Sequence, residues 1–368
     1  MIQGATDALL KFWHNPARVQ VPAALSFVFR LSGNLYAAGL MRSQRRALLR
    51  RRSLPAFVIS VGNLSSGGTG KTPLTLWLAA RIQNLGLQTA ILSRGYGRDG
   101  RETLLTPHQG ETAPQIPVFG DEPVLMARKA PAVPVWVGPV RWVSGKAAIR
   151  SSGARVLLLD DGFQHLSLKR DLDLVLLDAG NPFGNGLLHP FGPLREPPAH
   201  LDRADAIVLT RAEDPCAAAG TRSQLMRIFP GKPVFACKHR LSALRAGLGG
   251  REIPLALLAS HPAVAFAGIA RPDSFFRSLE AAGIGIVARF AFPDHHPYTP
   301  RDIGTLFDSV RKTDACFLIT TEKDAVRLPS PLMSCIVTAG MEMDFGAETK
   351  EFFDYISSKL SPLLPPIH

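Results

Sequence analysis

The 368-residue chain has few cysteines: four, at Cys216, Cys237, Cys316 and Cys335, far apart and with no CxxC spacing. That spacing excludes a clustered zinc site and a disulfide scaffold, and predicts buried thiols in a reducing compartment. Acids are also scarce, 30 against 42 Lys/Arg, which leaves a net charge of +12. The N-terminal apolar segment, residues 19–41, is not an unbroken run. Arg30 divides it into two stretches of eleven, and Pro22 and Gly33 interrupt it. A spanning helix needs about 20 mostly apolar residues, and a mid-bilayer charge costs roughly 2.5–3.5 kcal/mol. An early basic region and a clear small-residue cleavage site are missing as well, so no secretory signal is expected. The chain has no internal repeat and no low-complexity tract. With 46% hydrophobic and 20% charged residues, it has the composition of a globular protein.

The positive charge is concentrated. Residues 1–52 hold nine Lys/Arg and a single acid, Asp7, so they carry +8 of the +12. A basic excess at one end of a chain points to an interaction surface. The apolar segment reads as an interfacial amphipathic helix. The cluster RSQRRALLRRR at 42–52 could bind anionic lipid at about 1 kcal/mol per residue. The competing reading is a helix packed on its own protein. Nucleic-acid binding is not expected, because no recognition module accompanies the arginines.

From residue 56 short β-branched runs alternate with helical stretches. Strands are predicted at 56–61, 89–92, 133–137, 156–159, 172–177 and 206–209, with helices over 72–85 and 140–150. Continuous apolar strands alternating with helices predict a parallel sheet sandwiched by helices. A second, smaller α/β domain follows the glycine-rich stretch 246–250. Its predicted strands are 263–267, 286–290 and 317–320, with helices at 273–282 and 350–360. The expected division is a basic N-terminal segment over 1–52, a core domain over 53–245 and a smaller domain over 246–368.

Residues 62–72 read GNLSSGGTGKT, between a predicted strand and a predicted helix. That is the context a P-loop requires. Gly67, Gly68 and Gly70 allow backbone N–H groups to curl round phosphates. With Ser65, Ser66 and Thr69 they form the predicted nucleotide cradle. Lys71 would reach the β- and γ-phosphates, and the Thr72 hydroxyl would ligate Mg²⁺. Position 65 is Ser where a strict pattern has Gly. Position 66 is Ser where membrane-linked partitioning ATPases carry an extra lysine, which disfavours that class. The run VLLLDD at 156–161 ends a predicted buried strand in Asp160 and Asp161, candidates for the metal side of the same site. A strand-to-loop cap is the alternative.

Other candidates stand in loops. Asp121 is a candidate base for a hydroxyl nucleophile. The group Asp294-His295-His296 could tune a carboxylate, or could be an ordinary surface loop. Arg94, Arg141 and Arg195 could stabilise a transferring phosphate. Residues 321–324 (TEKD) only loosely echo the GTPase specificity motif, so ATP is the expected nucleotide.

Taken together, VGNLSSGGTGKTP (61–73), SRGYGR (93–98), GDEP (120–123), DDGFQH (160–165), GPLREP (192–197), FPDHHPY (292–298) and TTEKDAVRL (320–328) resemble the tetraacyldisaccharide 4′-kinases, the lipid A 4′-kinases of Gram-negative bacteria. The resemblance implies transfer of the ATP γ-phosphate to the 4′-hydroxyl of tetraacyldisaccharide 1-phosphate. It implies a peripheral enzyme at the cytoplasmic face of the inner membrane. It further implies that Asp121 is the base and His295 its partner. Thr72, Glu122, Asp160 and Asp161 would surround Mg²⁺ and the nucleotide, and Arg141 would lie near the transferring phosphate. With Asp121 and His295 in different predicted domains, closure between domains would be needed to join them.

Overall fold

The computed structural model describes residues 12–13, 23–108, 115–329, 332 and 335–364. Lys11, Arg18 and residues 19–22 of the predicted N-terminal segment lie outside them. Helix α1 (Ala23–Leu49) runs without interruption through Gly33 and Gly39. Val28, Leu31 and Leu35, spaced three and four apart and so on one face, are exposed. Arg42, Arg45, Arg46 and Arg50 are exposed at its C-terminal end. No described helix is long and apolar enough to cross a membrane.

By contacts the chain divides into two compact units, each discontinuous in sequence. Unit 1 comprises residues 1–71, 154–238 and 344–368, and unit 2 comprises 72–153 and 239–343. These limits cut the chain differently from a contiguous division at 245/246.

Unit 1 contains β1 (Phe57–Asn63), β5 (Val156–Asp160), β6 (Leu172–Asp178), β7 (Ala206–Thr210) and β8 (Val234–Ala236). They pair in the order β5-β1-β6-β7-β8, all parallel. The four longest are buried along almost their whole length, as expected for strands covered on both faces. One core forms around Leu64, Phe163, Val175, Leu177, Ile207 and Leu209. Helix α5 (Pro215–Ile228) adds Leu225 to it. It starts at Asp214, whose carboxylate accepts from the N–H groups of Cys216 and Ala217, a side-chain N-cap. The C-terminal helix α9 (Thr349–Leu360) buries Phe352, Ile356 and Leu360.

Unit 2 contains a three-stranded group, β2 (Thr89–Ser93), β3 (Leu104–Thr106) and β4 (Val135–Val137). In it β4 lies between parallel β2 and antiparallel β3. Two helices frame it, α3 (Asp121–Lys129) and α4 (Arg141–Ser152). Helix α2 (Lys71–Asn84) enters the unit after its first residue.

The rest of unit 2 is a six-stranded sheet in the order β10-β9-β14-β13-β11-β12. Its strands are β9 (Lys238–Ala246), β10 (Glu252–Ile253), β11 (Pro262–Ala267), β12 (Gly285–Ala291), β13 (Phe317–Thr321) and β14 (Ile336–Asp344). Alternation along β11 divides its side chains between two cores. Ala263, Ala265 and Ala267 join Phe275, Phe276 and Leu279 of α6 (Pro272–Ala281). Val264 and Phe266 join Tyr298 and Leu306, the latter from α7 (Pro300–Lys312). A single turn of helix, α8 (Glu322–Ala325), follows β13 directly.

Candidate active site

In unit 1 the glycine-rich loop joins β1 to α2, as its sequence predicts. Gly67 and Gly70 have φ of 113° and 90°, a region that favours glycine. The loop is braced from inside. The Asn63 side-chain amide donates to Oγ1 of Thr69 at 3.0 Å. Ser66 N–H donates to the Pro193 carbonyl at 2.7 Å, and Arg195 N–H to the Leu64 carbonyl at 2.7 Å. The segment 192–197 therefore runs along the loop. Gly62 is required by packing, since a β-carbon there would lie 2.8 Å from the backbone nitrogen of Phe163.

Asp160 is 2% exposed at the carboxyl end of β5, in register with Val61 of β1. Asp161 follows with a φ of 52°. Its carboxylate lies 3.4 Å from Nζ of Lys71 and accepts from Nη1 of Arg195 at 2.9 Å. Burial raises the Asp161 pKa, but Lys71 and Arg195 outweigh it and bring the group to about 2. Lys71, Asp161 and Arg195 thus form a charged triad at the mouth of the loop.

Two further contacts reach the loop. Arg211 pairs with Asp178 at 2.8 Å and also donates to the Gly68 carbonyl. Ser66 Oγ lies 2.8 Å from Nε2 of His189. The loop sequence does not announce Arg211, Asp178 or His189, which arrive from the ends of distant strands and turns.

Unit 2 brings together another set. Asp121 opens α3, 5% exposed. Its Oδ2 is 2.7 Å from Nδ1 of His295, and its Oδ1 accepts from the Glu122 N–H at 2.9 Å. Both residues belong to unit 2, which takes up 72–153 and 239–343. Lys323 of α8 lies 3.3 Å from Nε2 of His295, 3.3 Å from Glu122 and 3.5 Å from Asp294. A lysine ammonium only donates. Its place at Nε2 favours the imidazole with its proton on Nδ1, directed at Asp121.

Burial raises the Asp121 pKa. The hydrogen bond and charge of His295, with Lys323 and Arg327, reverse this and leave it below the ordinary carboxylate value. The His295 pKa is raised, first by its bond to Asp121 and against the effects of burial and Lys323. The exposed ring of Tyr96 sits 5.8 Å from His295.

The remaining predicted residues fall as follows. Thr72 follows Lys71 in the first turn of α2. Glu122 is held by Lys323. Arg141 opens α4, 2% exposed, and donates to the Gly138 carbonyl at 3.0 Å. Arg94 is exposed. Lys323 and Arg327 are functional candidates that residue-by-residue reading passed over, although TTEKDAVRL contains both.

A strand, a glycine-rich loop and a helix opening with Lys-Thr, set on a parallel sheet, define a P-loop protein of the α/β class. The model of one family, tetraacyldisaccharide-1-P 4′-kinase, matches residues 24–361, and the chain belongs to that family. It is 53% identical over 342 residues to a tetraacyldisaccharide 4′-kinase of Syntrophobacter fumaroxidans, covering 93% of this chain and 90% of the relative. It is 36% identical over 358 residues to one of Syntrophus aciditrophicus, covering 94% and 96%. Among solved structures it is similar to LpxK from Aquifex aeolicus in complex with ATP. The TM-score is 0.72 at 29% identity, over 93% of this chain and all of that one.

Proposed function

We propose that the chain is an ATP-dependent kinase. It transfers the γ-phosphate of ATP to the 4′-hydroxyl of tetraacyldisaccharide 1-phosphate, giving lipid IVA for lipid A synthesis. Family membership and the relatives' names support the reaction. The observation that carries it is the Asp121–His295 contact in a chain that also holds a phosphate loop. A hydroxyl acceptor needs a group to orient it and take its proton. A membrane ATPase switch has no acceptor hydroxyl, and its extra loop lysine is absent at Ser66.

In this reading the loop residues 65–72 cradle the phosphates of ATP, and Lys71 stabilises charge on the transferring group. Asp121 receives the proton of the 4′-hydroxyl, with His295 orienting the carboxylate. The oxygen forms a bond to the γ-phosphorus as the bond to the bridging oxygen breaks, and ADP leaves. Arg141 and Arg195 supply further positive charge for the phosphoryl oxygens.

Mg²⁺ would accompany the nucleotide: the Thr72 hydroxyl and the carboxylates of Asp160, Asp161 and Glu122 are hard oxygen donors of the kind it prefers. When bound it neutralises charge shared by the β- and γ-phosphates. Helix α1, with its exposed apolar face and exposed arginines, would rest on an anionic membrane surface at the cytoplasmic face of the inner membrane, where ATP is available.

The test is transfer from γ-labelled ATP to purified tetraacyldisaccharide 1-phosphate in detergent micelles, with and without Mg²⁺. Labelled lipid that depends on Mg²⁺ is expected. ATP hydrolysis without labelled lipid would replace the kinase reading by the ATPase switch.

A further inference from the structure

Arg327 lies at the centre of the contacts around Asp121 and His295. Its side chain is 6% exposed, so its charge and five donors must be met by protein groups. Four hydrogen bonds meet them. Nε donates to the Lys323 carbonyl at 3.2 Å. Nη1 donates to the His296 carbonyl at 3.2 Å. Nη2 donates to the Gly268 carbonyl at 3.2 Å and to Oδ1 of Asp324 at 3.1 Å. Nε also stands 3.6 Å from Oδ2 of Asp121, the same oxygen that meets His295.

These contacts converge on a turn with a disfavoured backbone angle at His295, held locally by His295 N–H to Asp294 Oδ1 at 3.1 Å and His296 N–H to the Pro293 carbonyl at 3.2 Å. His295 has a φ of 60°, where a side chain with a β-carbon is disfavoured and persists only if its surroundings fix it. Its N–H donates to the Gly268 carbonyl at 3.2 Å, the carbonyl that Arg327 also holds. The next carbonyl, that of His296, is held by the same guanidinium. Arg327 therefore braces His295 on both sides while presenting its cation to Asp121.

The brace is itself fixed. Asp324 is fully buried. It accepts from Gly268 N–H at 2.9 Å, from the Tyr298 hydroxyl at 2.8 Å and from the Thr321 hydroxyl at 2.6 Å. The planar fork of an arginine suits this geometry, and a lysine would keep the charge but not the set of bonds.

We propose that Arg327 is a positioning residue for phosphoryl transfer, locking the turn that carries His295 against the first turn of α3 so that His295 and Asp121 meet in one arrangement. This rests on the kinase reading, in which Asp121 is the base. Arg327 touches neither substrate in this scheme and acts through the pair.

The test uses the full-length protein with Arg327→Gln and Arg327→Lys, each also combined with His295→Ala. In the wild-type background Arg327→Gln is expected to lower kcat about 10- to 100-fold, as loosened catalytic geometry does, with KM for ATP within about twofold. Arg327→Lys is expected to recover part of that loss. In the His295→Ala background Arg327→Gln should cost little more, because the group it acts through is gone. An equal fold loss in both backgrounds, or no loss in the first, would overturn the proposal.

A second readout needs no turnover and uses Arg327→Lys, the gentler change. In long-range proton–nitrogen spectra of histidine-labelled protein, the Nδ1–H signal of His295 should weaken or shift relative to wild type. An unchanged signal would count against the brace. If the wild type transfers no phosphate to the lipid, the kinase reading fails, and the spectra still decide whether Arg327 holds the pair.

Discussion

Nδ1 of His295 lies 2.7 Å from Oδ2 of Asp121, across 174 positions of sequence. The carboxylate is almost wholly buried, and the imidazole is about one-third exposed. The pair thus has one face toward the protein and one that a substrate can reach. Asp121→Asn keeps the shape but removes the proposed proton acceptor. It is expected to lower kcat by about 10²–10⁴-fold while leaving KM for ATP little changed, as steady-state kinetics with labelled ATP would measure. Near-normal turnover would assign the base elsewhere.

In the proposed reaction Lys71 contacts the phosphates held by the loop. Lys71→Ala is expected to abolish ATP-dependent phosphate transfer. It also removes one of the two cations at Asp161. Nucleotide binding by calorimetry, beside the transfer assay, separates lost affinity from lost turnover. Retention of full activity would overturn the loop assignment.

The close approach of Gly62 to Phe163 makes a stability prediction independent of chemistry. Gly62→Ala would put its β-carbon 2.8 Å from the Phe163 nitrogen and 2.5 Å from the Phe163 β-carbon. Backbone must move to admit it, and overpacking of this kind costs about 1–3 kcal/mol. Chemical denaturation should show a lower midpoint for this variant. An unchanged midpoint would mean that the two strand ends can separate freely.

Helix α7 carries the clearest acid-sensitive element. Thr299 and Asp302 form a reciprocal capping box at its start. The Thr299 hydroxyl and N–H, with His296, hold Asp302 at about 2, below its ordinary 3.8. A depressed carboxylate contributes stability that is present above its unfolded value and is lost as pH falls through its folded value. The contribution should therefore be intact above about pH 4 and vanish near pH 2. Thr299→Ala is expected to cost about 1 kcal/mol at neutral pH, and the difference from wild type should shrink over that acid window. A constant difference down to pH 2 would show that the cap is not linked to the Asp302 charge.

The membrane role of α1 is testable by flotation with anionic vesicles. Replacing Arg42, Arg45, Arg46 and Arg50 by Gln should weaken association by about 1 kcal/mol per arginine. Rising salt should do the same to the wild type. Equal flotation of both proteins would leave α1 as a helix that serves only its own fold.

The parts of this architecture legible in the sequence are those fixed locally. The strand at Val156–Asp160 is an apolar run ending in an acid, that at Leu172–Asp178 is apolar except for Asp173 and its final Asp178, and the loop at 62–72 carries its own glycines and lysine. Their bounds follow within a few residues. Short β3 and β8, three residues each, give no periodicity to read. The grouping of 72–153 with 239–343 is likewise invisible, because it depends on packing between distant segments. The site divides in the same way. The phosphate loop follows from spacing alone, whereas the pairing of Asp121 with His295 follows only from family resemblance. Arg327 gave no local signal. Its significance lies in reaching Gly268, His296 and Asp121 at once, and no linear pattern states that.

The alternation of the chain between its units has a consequence for biosynthesis. A polypeptide released after residue 238 would contain the glycine-rich loop, both adjacent aspartates, Asp121 and every strand of unit 1. It would lack His295, Lys323 and Arg327. It would also lack residues 344–368, which belong to unit 1, so neither unit is complete until the last third of the chain has been made.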